Sequence, residues 1–406
     1  MEEALAADEL PQRKAVRLRT ARARRVLGIT LDDAAIRSLL ERVHLQVQVD
    51  GDDFLVTPPS WRFDIEIEVD LVEEIARLHG YDNIPAVAPQ GSLMMLPSTE
   101  HARPVWAVRH LLAALGYQEV VNFAFVEEAW ERDFCANADP IRLANPIASQ
   151  LSVMRSSLIA GLVATLAVNR KRQIDRVRVF EIARVFERRA EGEPVAGFHQ
   201  PMRVAGLGAG SVRPEQWAER GRTLDFYDVK ADLEALFAPR ALQFECLSHP
   251  ALHPGRAASV RLDGRAIGVI GELHPVWVQR YDLGTAPVVF EVELDAVLSA
   301  RMLAHGDISR MPAVVRDLAL VVGLEVSAAR VIDALRAVAP TLVKEIALFD
   351  VYHGKGVDPD KKSLALRILM QDTQRTLEDA EVDAAVAVLV QQAESALGAR
   401  LRGSGG

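Results

Sequence analysis

Cysteine is nearly absent from this 406-residue chain, which has only Cys135 and Cys246. Two cysteines far apart make at most one bridge, so a disulfide framework and a zinc knuckle are excluded and a reducing cytoplasm is the default compartment. Long hydrophobic runs are missing as well. No stretch approaches roughly 18 consecutive apolar residues, and the chain opens on Glu2, Glu3, Asp8 and Glu9 rather than on a basic segment leading into an apolar one. The expectation is a soluble, unexported protein with no membrane partner. No Gly-x-Gly-x-x-Gly follows a strand, and neither a Walker phosphate loop, a Ser/His/Asp set nor paired Cys/His ligands can be found. An independent ATPase or hydrolase therefore has little support, and the lack of any solenoid-period repeat removes the repeat architectures.

What is present is ordinary globular material. Hydrophobic residues make up 50% of the chain and charged residues 25%, and the length implies two to three domains. The net charge of −9 argues against a surface uniformly devoted to phosphate. The charge is segregated, however. Residues 13–25 hold seven basic side chains and no acid, while 64–74 hold six acids and no base, so local fields can differ from the total.

The first unit is expected over 13–85. Thr30 with Asp33 resembles a capping box ahead of Ile36, Leu39, Leu40 and Val43, giving a helix over 31–43. Leu45, Val47 and Val49 then alternate up to Asp50-Gly51, and Phe54-Leu55-Val56 resumes beyond it as a hairpin. Ile67, Leu71, Ile75 and Leu78 restore a helix that ends at Gly80. A linker is read at 86–98. The middle unit, 99–300, reads as a helix at 105–115, a strand at 120–123, a helix at 156–172, and strands at 177–182, 202–207, 257–262, 267–270 and 288–292, with Asp263-Gly264 as a hairpin turn. Antiparallel strands with interspersed helices argue for α+β over a doubly wound sheet. The last unit, 308–402, follows the order βαββα of a ferredoxin-like plait, with strands at 318–322, 343–351 and 363–370, helices at 328–338 and beyond Thr376-Leu-Glu-Asp379, and a short strand at 397–402.

Three groups of residues could carry chemistry. Asp70, Glu73 and Glu74 stand at i, i+3 and i+4 on one helix face, with Asp64 able to fold back toward them. Magnesium favours hard oxygen ligands of this kind, but acids in a first turn also simply oppose the helix dipole; the pattern leaves both readings open. Arg155 and the basic residues of 170–178 lie near a strand start and suit either a nucleotide phosphate or a rim, while His253 and His274 fall in turn-like segments. Asp350, Tyr352 and His353 end a strand, followed by Lys355 and the Lys361-Lys362 pair. An exposed ring flanked by lysines suits single-stranded RNA, while composition alone favours an edge-packed tyrosine beside a solvated lysine turn.

These segments, in order, resemble the carboxy-terminal part of the bacterial phenylalanyl-tRNA synthetase beta subunit family. The most specific likeness is the run from Pro59-Ser60-Trp61-Arg62-Phe63-Asp64 through Leu78-His79-Gly80-Tyr81 to Pro85. The middle adds Gly116-Tyr117, Asn145-Pro146-Ile147, Met154-Arg155, Phe180-Glu181-Ile182, His253-Pro254-Gly255-Arg256 and Gly271-Glu272-Leu273-His274-Pro275. The end adds Met311-Pro312, Leu348-Phe349-Asp350-Val351-Tyr352-His353-Gly354, Lys362-Ser363 and Thr376-Leu377-Glu378-Asp379. The resemblance implies a small helix-hairpin-helix, winged-helix-like domain, a class II synthetase-like antiparallel core that has lost catalysis, and a ferredoxin-fold anticodon-binding domain. It implies Asp64, Asp70, Glu73 and Glu74 as ligands of a Mg²⁺ shared with the alpha subunit, and Asp350, Tyr352, Lys355 and Lys362 as tRNA contacts.

The implied role is that of a non-catalytic subunit of a cytoplasmic heterotetramer, two alpha and two beta. The alpha subunit, with ATP as substrate, would attach phenylalanine to its tRNA. Ala183 stands where the family often has glycine, a mild departure. The family's amino-terminal modules and editing domain have no counterpart here, so proofreading is not expected of this chain. Residues 1–12 read as a residual segment and 403–406 as a natural tail or a cloning scar. A self-sufficient class II synthetase and a free-standing tRNA-binding or regulatory paralogue are the alternative readings.

Overall fold

The structure, a computed structural model, describes residues 13–94, 102–192, 194–299, 305 and 308–402. The expected segments 1–12 and 403–406, and part of the 86–98 linker, lie outside the described residues. The chain divides into two compact units, Met1–Pro97 and Ser98–Gly406. No described helix is long and apolar enough to cross a membrane.

In the first unit, β1 (Val16–Leu18), α1 (Thr20–Leu27), α2 (Asp33–Arg42), β2 (Gln46–Asp50), β3 (Asp53–Thr57) and α3 (Glu68–His79) follow one another. The strands form a sheet in the order β1-β3-β2, all antiparallel. Period-two burial of Val16, Leu18, Phe54 and Val56 meets the helical stripe of Ile36, Leu40, Leu71 and Ile75 in one apolar core. The capping of α2 differs from the expectation: Asp32, not Thr30, is the N-cap, its carboxylate accepting from the Ala35 N–H at 2.7 Å. Gly80 ends α3 as expected, at φ 92°.

The second unit opens with α4 (Val105–Ala114) and β4 (Gln118–Glu119). The strand expected at 120–123 is displaced to these two residues; Val121 and Phe123 are exposed and lie in irregular chain. A small pairing of β5 (Phe125–Val126) with β6 (Val153–Met154) flanks α5 (Glu128–Cys135), and α6 (Ile159–Lys171) leads into β7 (Val177–Arg184). Three two-residue strands, β8 (Glu187–Arg188), β9 (Pro194–Val195) and β10 (Phe198–His199), form a separate small sheet. Then come β11 (Met202–Ala209), α7 (Phe226–Phe237), β12 (Gln243–Cys246), β13 (Leu252–Leu262), β14 (Arg265–Leu273), α8 (Pro275–Arg280), β15 (Val288–Glu293) and α9 (Leu294–Leu298).

Among the described residues the main sheet has the order β12-β13-β14-β15-β11-β7-β4. It is antiparallel except at one edge, where β4 runs parallel to β7. Asp263 and Gly264 turn β13 into β14 with φ of 49° and 78°, the left-handed pair that a two-residue hairpin demands. Both faces of the sheet are covered, so its strands read as nearly continuous apolar runs. Phe180, Ile182, Phe290 and Val292 pack with α4, α7 and α9 on one side. Val177, Val179, Val289 and Leu207 pack with α5, α6 and α8 on the other. Leu158, Ile159, Leu162, Val163 and Leu166 around α6 are fully buried, each contributing about 1.5–3 kcal/mol.

The last segment contains β16 (Val314–Gly323), α10 (Ala328–Val338), β17 (Val343–Tyr352), β18 (Lys361–Met370), α11 (Asp379–Leu397) and β19 (Arg400–Leu401). The sheet order is β17-β18-β16-β19, with Leu318, Leu320, Leu366 and Ile368 packed against Val331, Leu335, Val382 and Leu389. Glu378 and Glu381 form the capping box of α11, in place of the Thr376–Asp379 pair expected from sequence. Overall the fold is mixed α and β with antiparallel sheets.

Candidate functional site

Asp64, just ahead of α3, does fold back, but onto an arginine. Arg62 donates through Nε to Asp64 Oδ1 at 2.9 Å and through Nη2 to Oδ2 at 2.6 Å. The same guanidinium reaches Glu74 Oε2 at 3.2 Å through Nη1. Glu74 is only 6% exposed and is clamped from the other side by Arg77, at 3.1 Å from Nε and 2.8 Å from Nη2. Hydrogen bonds from Arg62 hold the Asp64 carboxyl down at about 2, and those from Arg77 and Arg62 lower that of Glu74.

Asp70 is occupied differently. Its Oδ2 accepts the backbone N–H groups of Glu66 and Ile67, both at 2.8 Å, satisfying donors that a helix start leaves open. Glu73 is exposed on the next turn. The four expected ligands are therefore not gathered: among the described residues no group of three or more His, Cys, Asp or Glu side chains is placed to hold a metal ion. Their oxygen chemistry suits magnesium, and the cationic Arg62 stands between Asp64 and Glu74.

Pairing also answers the charge segregation. Glu68 at the start of α3 receives Arg19 at 2.6 Å and Arg22 at 3.3 Å, so the basic and acidic blocks partly neutralise one another, while Arg17 pairs outside the acidic block, with Asp53 at 2.9 Å. Around this segment Trp61, Phe63, Ile67, Val69 and Tyr81 are all exposed, with the Arg13 guanidinium 4.2 Å over the Phe63 ring.

In the second unit Arg155, just ahead of α6, turns inward. Arg155 and Glu181 are 4% and 2% exposed, with Arg155 Nη1 2.8 Å from Glu181 Oε1. Asn122 Nδ2 donates to Glu181 Oε2 at 2.8 Å, and Arg155 Nε to the Arg184 carbonyl at 3.2 Å. Arg178 meets Asp232 at 3.1 Å, and Arg170 meets Asp175 at 2.6 Å. Arg155, Arg170 and Arg178 are thus engaged as structural partners, while Arg172 is exposed. The two histidines are not in open turns: His253 lies within β13, its Nδ1 accepting from the Gly255 N–H at 3.0 Å, and His274 caps α8 by accepting from the Val276 N–H at 3.2 Å.

The expected RNA contacts cluster only in part. Tyr352 ends β17, and its hydroxyl donates to the Lys355 carbonyl at 3.2 Å. The Arg402 guanidinium lies over the ring, 4.6 Å from its centroid. Asp350 is exposed one turn of pleat away, in a stretch where the β17–β18 register shifts between Leu348 and Asp350. Lys355 is exposed in the following loop. Lys362 is tied back, its Nζ donating to the Leu324 carbonyl at 2.9 Å. Sequence reasoning missed Phe349 and its partner Arg367. The ring is half exposed, with the Arg367 guanidinium 4.9 Å from its centroid and Arg367 itself held by Asp317 at 2.9 Å. Two aromatic rings, each faced by an arginine, offer stacking surfaces with nearby positive charge.

Comparison with known proteins agrees with this layout. Residues 84–294 match the family described as the phenylalanyl tRNA synthetase beta chain CLM domain, residues 16–81 the tRNA synthetase B5 domain, and residues 309–402 the ferredoxin-fold anticodon binding domain. The chain belongs to the phenylalanyl-tRNA synthetase beta chain family. It is 71% identical over 402 residues to the phenylalanine–tRNA ligase beta subunit of Aromatoleum aromaticum, covering 99% of this chain and 51% of that one. To the beta subunit of Dechloromonas aromatica it is 57% identical over 396 residues, covering 97% and 50%. The chain thus spans about half the length of the curated relatives it matches. Among solved structures, a pyrrolysyl tRNA synthetase of Desulfitobacterium hafniense aligns over 51% of this chain and 73% of its own, at 14% identity and a TM-score of 0.34, too low to define a common fold.

Proposed function

We propose that this chain acts as the non-catalytic carboxy-terminal part of a phenylalanyl-tRNA synthetase beta subunit, supporting ATP-dependent ligation of L-phenylalanine to its tRNA by an alpha subunit. The observation that carries the reading is the unbroken relationship to beta subunits along 402 residues. The inward-turned Arg155–Glu181 pair supports the non-catalytic half of it, since a guanidinium held by a buried carboxylate is not offered to a nucleotide.

Within this proposal residues 13–85 form the winged-helix-like domain, 86–98 the linker, 99–300 a catalytically inactive class II synthetase-like core, and 308–402 the anticodon-binding domain. The partners are the alpha subunit, in a complex of two alpha and two beta chains, and the tRNA for phenylalanine, in the cytoplasm. The exposed rings of Trp61 and Phe63 suit burial against such a partner. Asp350, Tyr352 and Lys355, joined by Phe349, are the RNA-facing candidates, with Lys362 as a support for the neighbouring turn. Magnesium at Asp64, Asp70, Glu73 and Glu74 belongs to the proposal on donor chemistry alone, and no step of the function is routed through it.

Co-expression with an alpha chain tests the assignment. The two should co-purify, and the complex, not this chain alone, should catalyse phenylalanine-dependent pyrophosphate exchange. Exchange by the isolated chain would instead establish a self-sufficient synthetase, and failure to associate would leave a free-standing RNA-binding paralogue.

A further inference from the structure

The basic stretch 170–178 contains one arginine that the ion pairs do not absorb. A cavity of about 500 Å³ lies between the end of α4, the start of β7, the loop 211–223 and the first turns of α7. The loop is closed at its base by the Ser211–Thr223 bridge and by the Val212 N–H, which donates to the Arg222 carbonyl at 3.0 Å. Arg176, Arg178, Arg213 and Arg222 all line the cavity. Three of them have carboxylates: Arg178 meets Asp232 at 3.1 Å, Arg213 meets Glu219 at 2.9 Å and Arg222 meets Asp228 at 2.5 Å. The remaining acid of the lining, Asp225, caps α7 by accepting the Tyr227 N–H at 2.8 Å. Among the described residues Arg176 has no carboxylate partner.

Its position is nevertheless fixed. Gly210, at φ 84°, lies so close that a Cβ there would come within 2.2 Å of the Asp175 carbonyl oxygen, and it packs directly on the Arg176 backbone. The Arg176 side chain has one long hydrogen bond, from Nη2 to the Val212 carbonyl at 3.4 Å. Its Nε is buried without an acceptor, as is the Nε of Arg178. Burial and then the charge of Arg178 push the Arg176 guanidinium down, with no acid acting the other way. Arginine stays protonated in a protein, so the counter-charge has to come from outside the chain. A carboxylate satisfies one guanidinium fork, whereas a tetrahedral oxyanion has acceptors for two neighbouring ones.

We propose that this cavity binds a small phosphate, free or as a phosphomonoester, on the guanidinium groups of Arg176 and Arg178. The site goes beyond the beta-subunit reading, because it uses no residue assigned there to tRNA, metal or a partner chain. The side chain of Arg178 is only 7% exposed, so the donors are recessed, which favours a small anion over the backbone of a polynucleotide. The plainer role for Arg176 is to hold the 211–223 loop through the Val212 carbonyl. A loop anchor gives no specific response to phosphate, and that difference separates the two.

The test is calorimetric titration of the chain with orthophosphate, methyl phosphate and acetate at constant ionic strength. At least one of the two phosphates should bind saturably, and about tenfold or more tighter than acetate. The same phosphate should raise the Tm above that in chloride of equal ionic strength. Arg176→Met should weaken binding by about tenfold or more while circular dichroism stays that of the parent. Arg213→Glu, a charge reversal on the exposed loop, serves if Arg176→Met does not fold, and should weaken binding by about threefold or more. Absence of saturable binding by both phosphates would overturn the proposal, as would equal binding by acetate. Unchanged affinity in a folded Arg176→Met variant, or in Arg213→Glu where that variant does not fold, would do the same. Loss of tRNA affinity in Arg176→Met with no phosphate binding to the parent would make the arginine an RNA contact and overturn the small-anion site.

Discussion

The guanidinium of Arg155 meets the carboxylate of Glu181 at 2.8 Å inside the main sheet's packing, with both side chains almost wholly buried. Asn122 fills the second carboxylate oxygen, so the network is closed rather than poised for a ligand. Such a pair is weak evidence of net stability, yet breaking it is expensive, because it strands the surviving charge in a poorly solvated place.

Glu181→Ala is therefore expected to destabilise the fold by about 3–5 kcal/mol. Arg155→Ala should cost a similar amount, and the double variant less than the sum, since neither charge is then left alone. Denaturant unfolding of the four proteins measures this. Fully additive losses would mean that the two side chains act independently.

The acidic helix calls for a different prediction. Asp70→Ala removes the acceptor for the Glu66 and Ile67 N–H groups and should cost about 0.5–2 kcal/mol through the helix start alone. Glu74→Ala leaves Arg62 and Arg77 facing each other without their shared carboxylate. If the segment also serves magnesium, the double variant should weaken association with an alpha chain, or its magnesium dependence, beyond what the isolated chain's stability loss explains. Unchanged assembly and unchanged magnesium response would return these acids to capping and ion pairing.

How far such sites can be read from sequence depends on the range of the interaction that makes them. The hairpin β2–β3, the end of α3 at Gly80 and the helix α10 follow from periodicity and turn residues, which are local. Helix α1 was missed because Thr20–Leu27 is short, rich in arginine and buries only Thr20 and Ala23. Helix α7 did carry a signal, the Asp225–Asp228 capping box ahead of Val229, Leu233 and Leu236. The acidic cluster misled for another reason. A count of acids from Asp64 onward omits Arg62, two residues earlier, and the distant Arg19, and these set the geometry. Phe349 and Arg367 are joined only by strand register, which no short motif contains.

Glu68 provides a pH test of the link between the basic and acidic blocks. Hydrogen bonding from Arg19, with further help from Arg22, holds its carboxyl at about 2, against an ordinary value of 4.5. A depressed folded-state value means that the contribution is present above pH 4.5 and lost as the pH falls toward 2. Other carboxylates titrate over the same window, Asp64 among them, so the informative quantity is the difference between the parent and Glu68→Gln. That difference should shrink steadily on acidification, and added salt should reduce it at neutral pH. Parallel stability curves across the acid range would show that the ion pair contributes nothing to folding.

On the open face of the last sheet the expected RNA contacts rest on rings rather than on lysines. Tyr352 lies under Arg402 and Phe349 under Arg367, so an incoming base can stack on a ring while the displaced guanidinium turns to phosphate. Tyr352→Ala should lower affinity for the tRNA by about 1–3 kcal/mol, and Phe349→Ala by a comparable amount if it takes a second base. Lys362→Ala should matter less than Lys355→Ala, because Lys362 is already engaged by the Leu324 carbonyl. Filter binding or fluorescence titration against tRNA at fixed salt distinguishes these cases, with the salt slope reporting phosphate contacts separately from stacking. Full affinity in both aromatic variants would move the RNA contact off this face of the sheet.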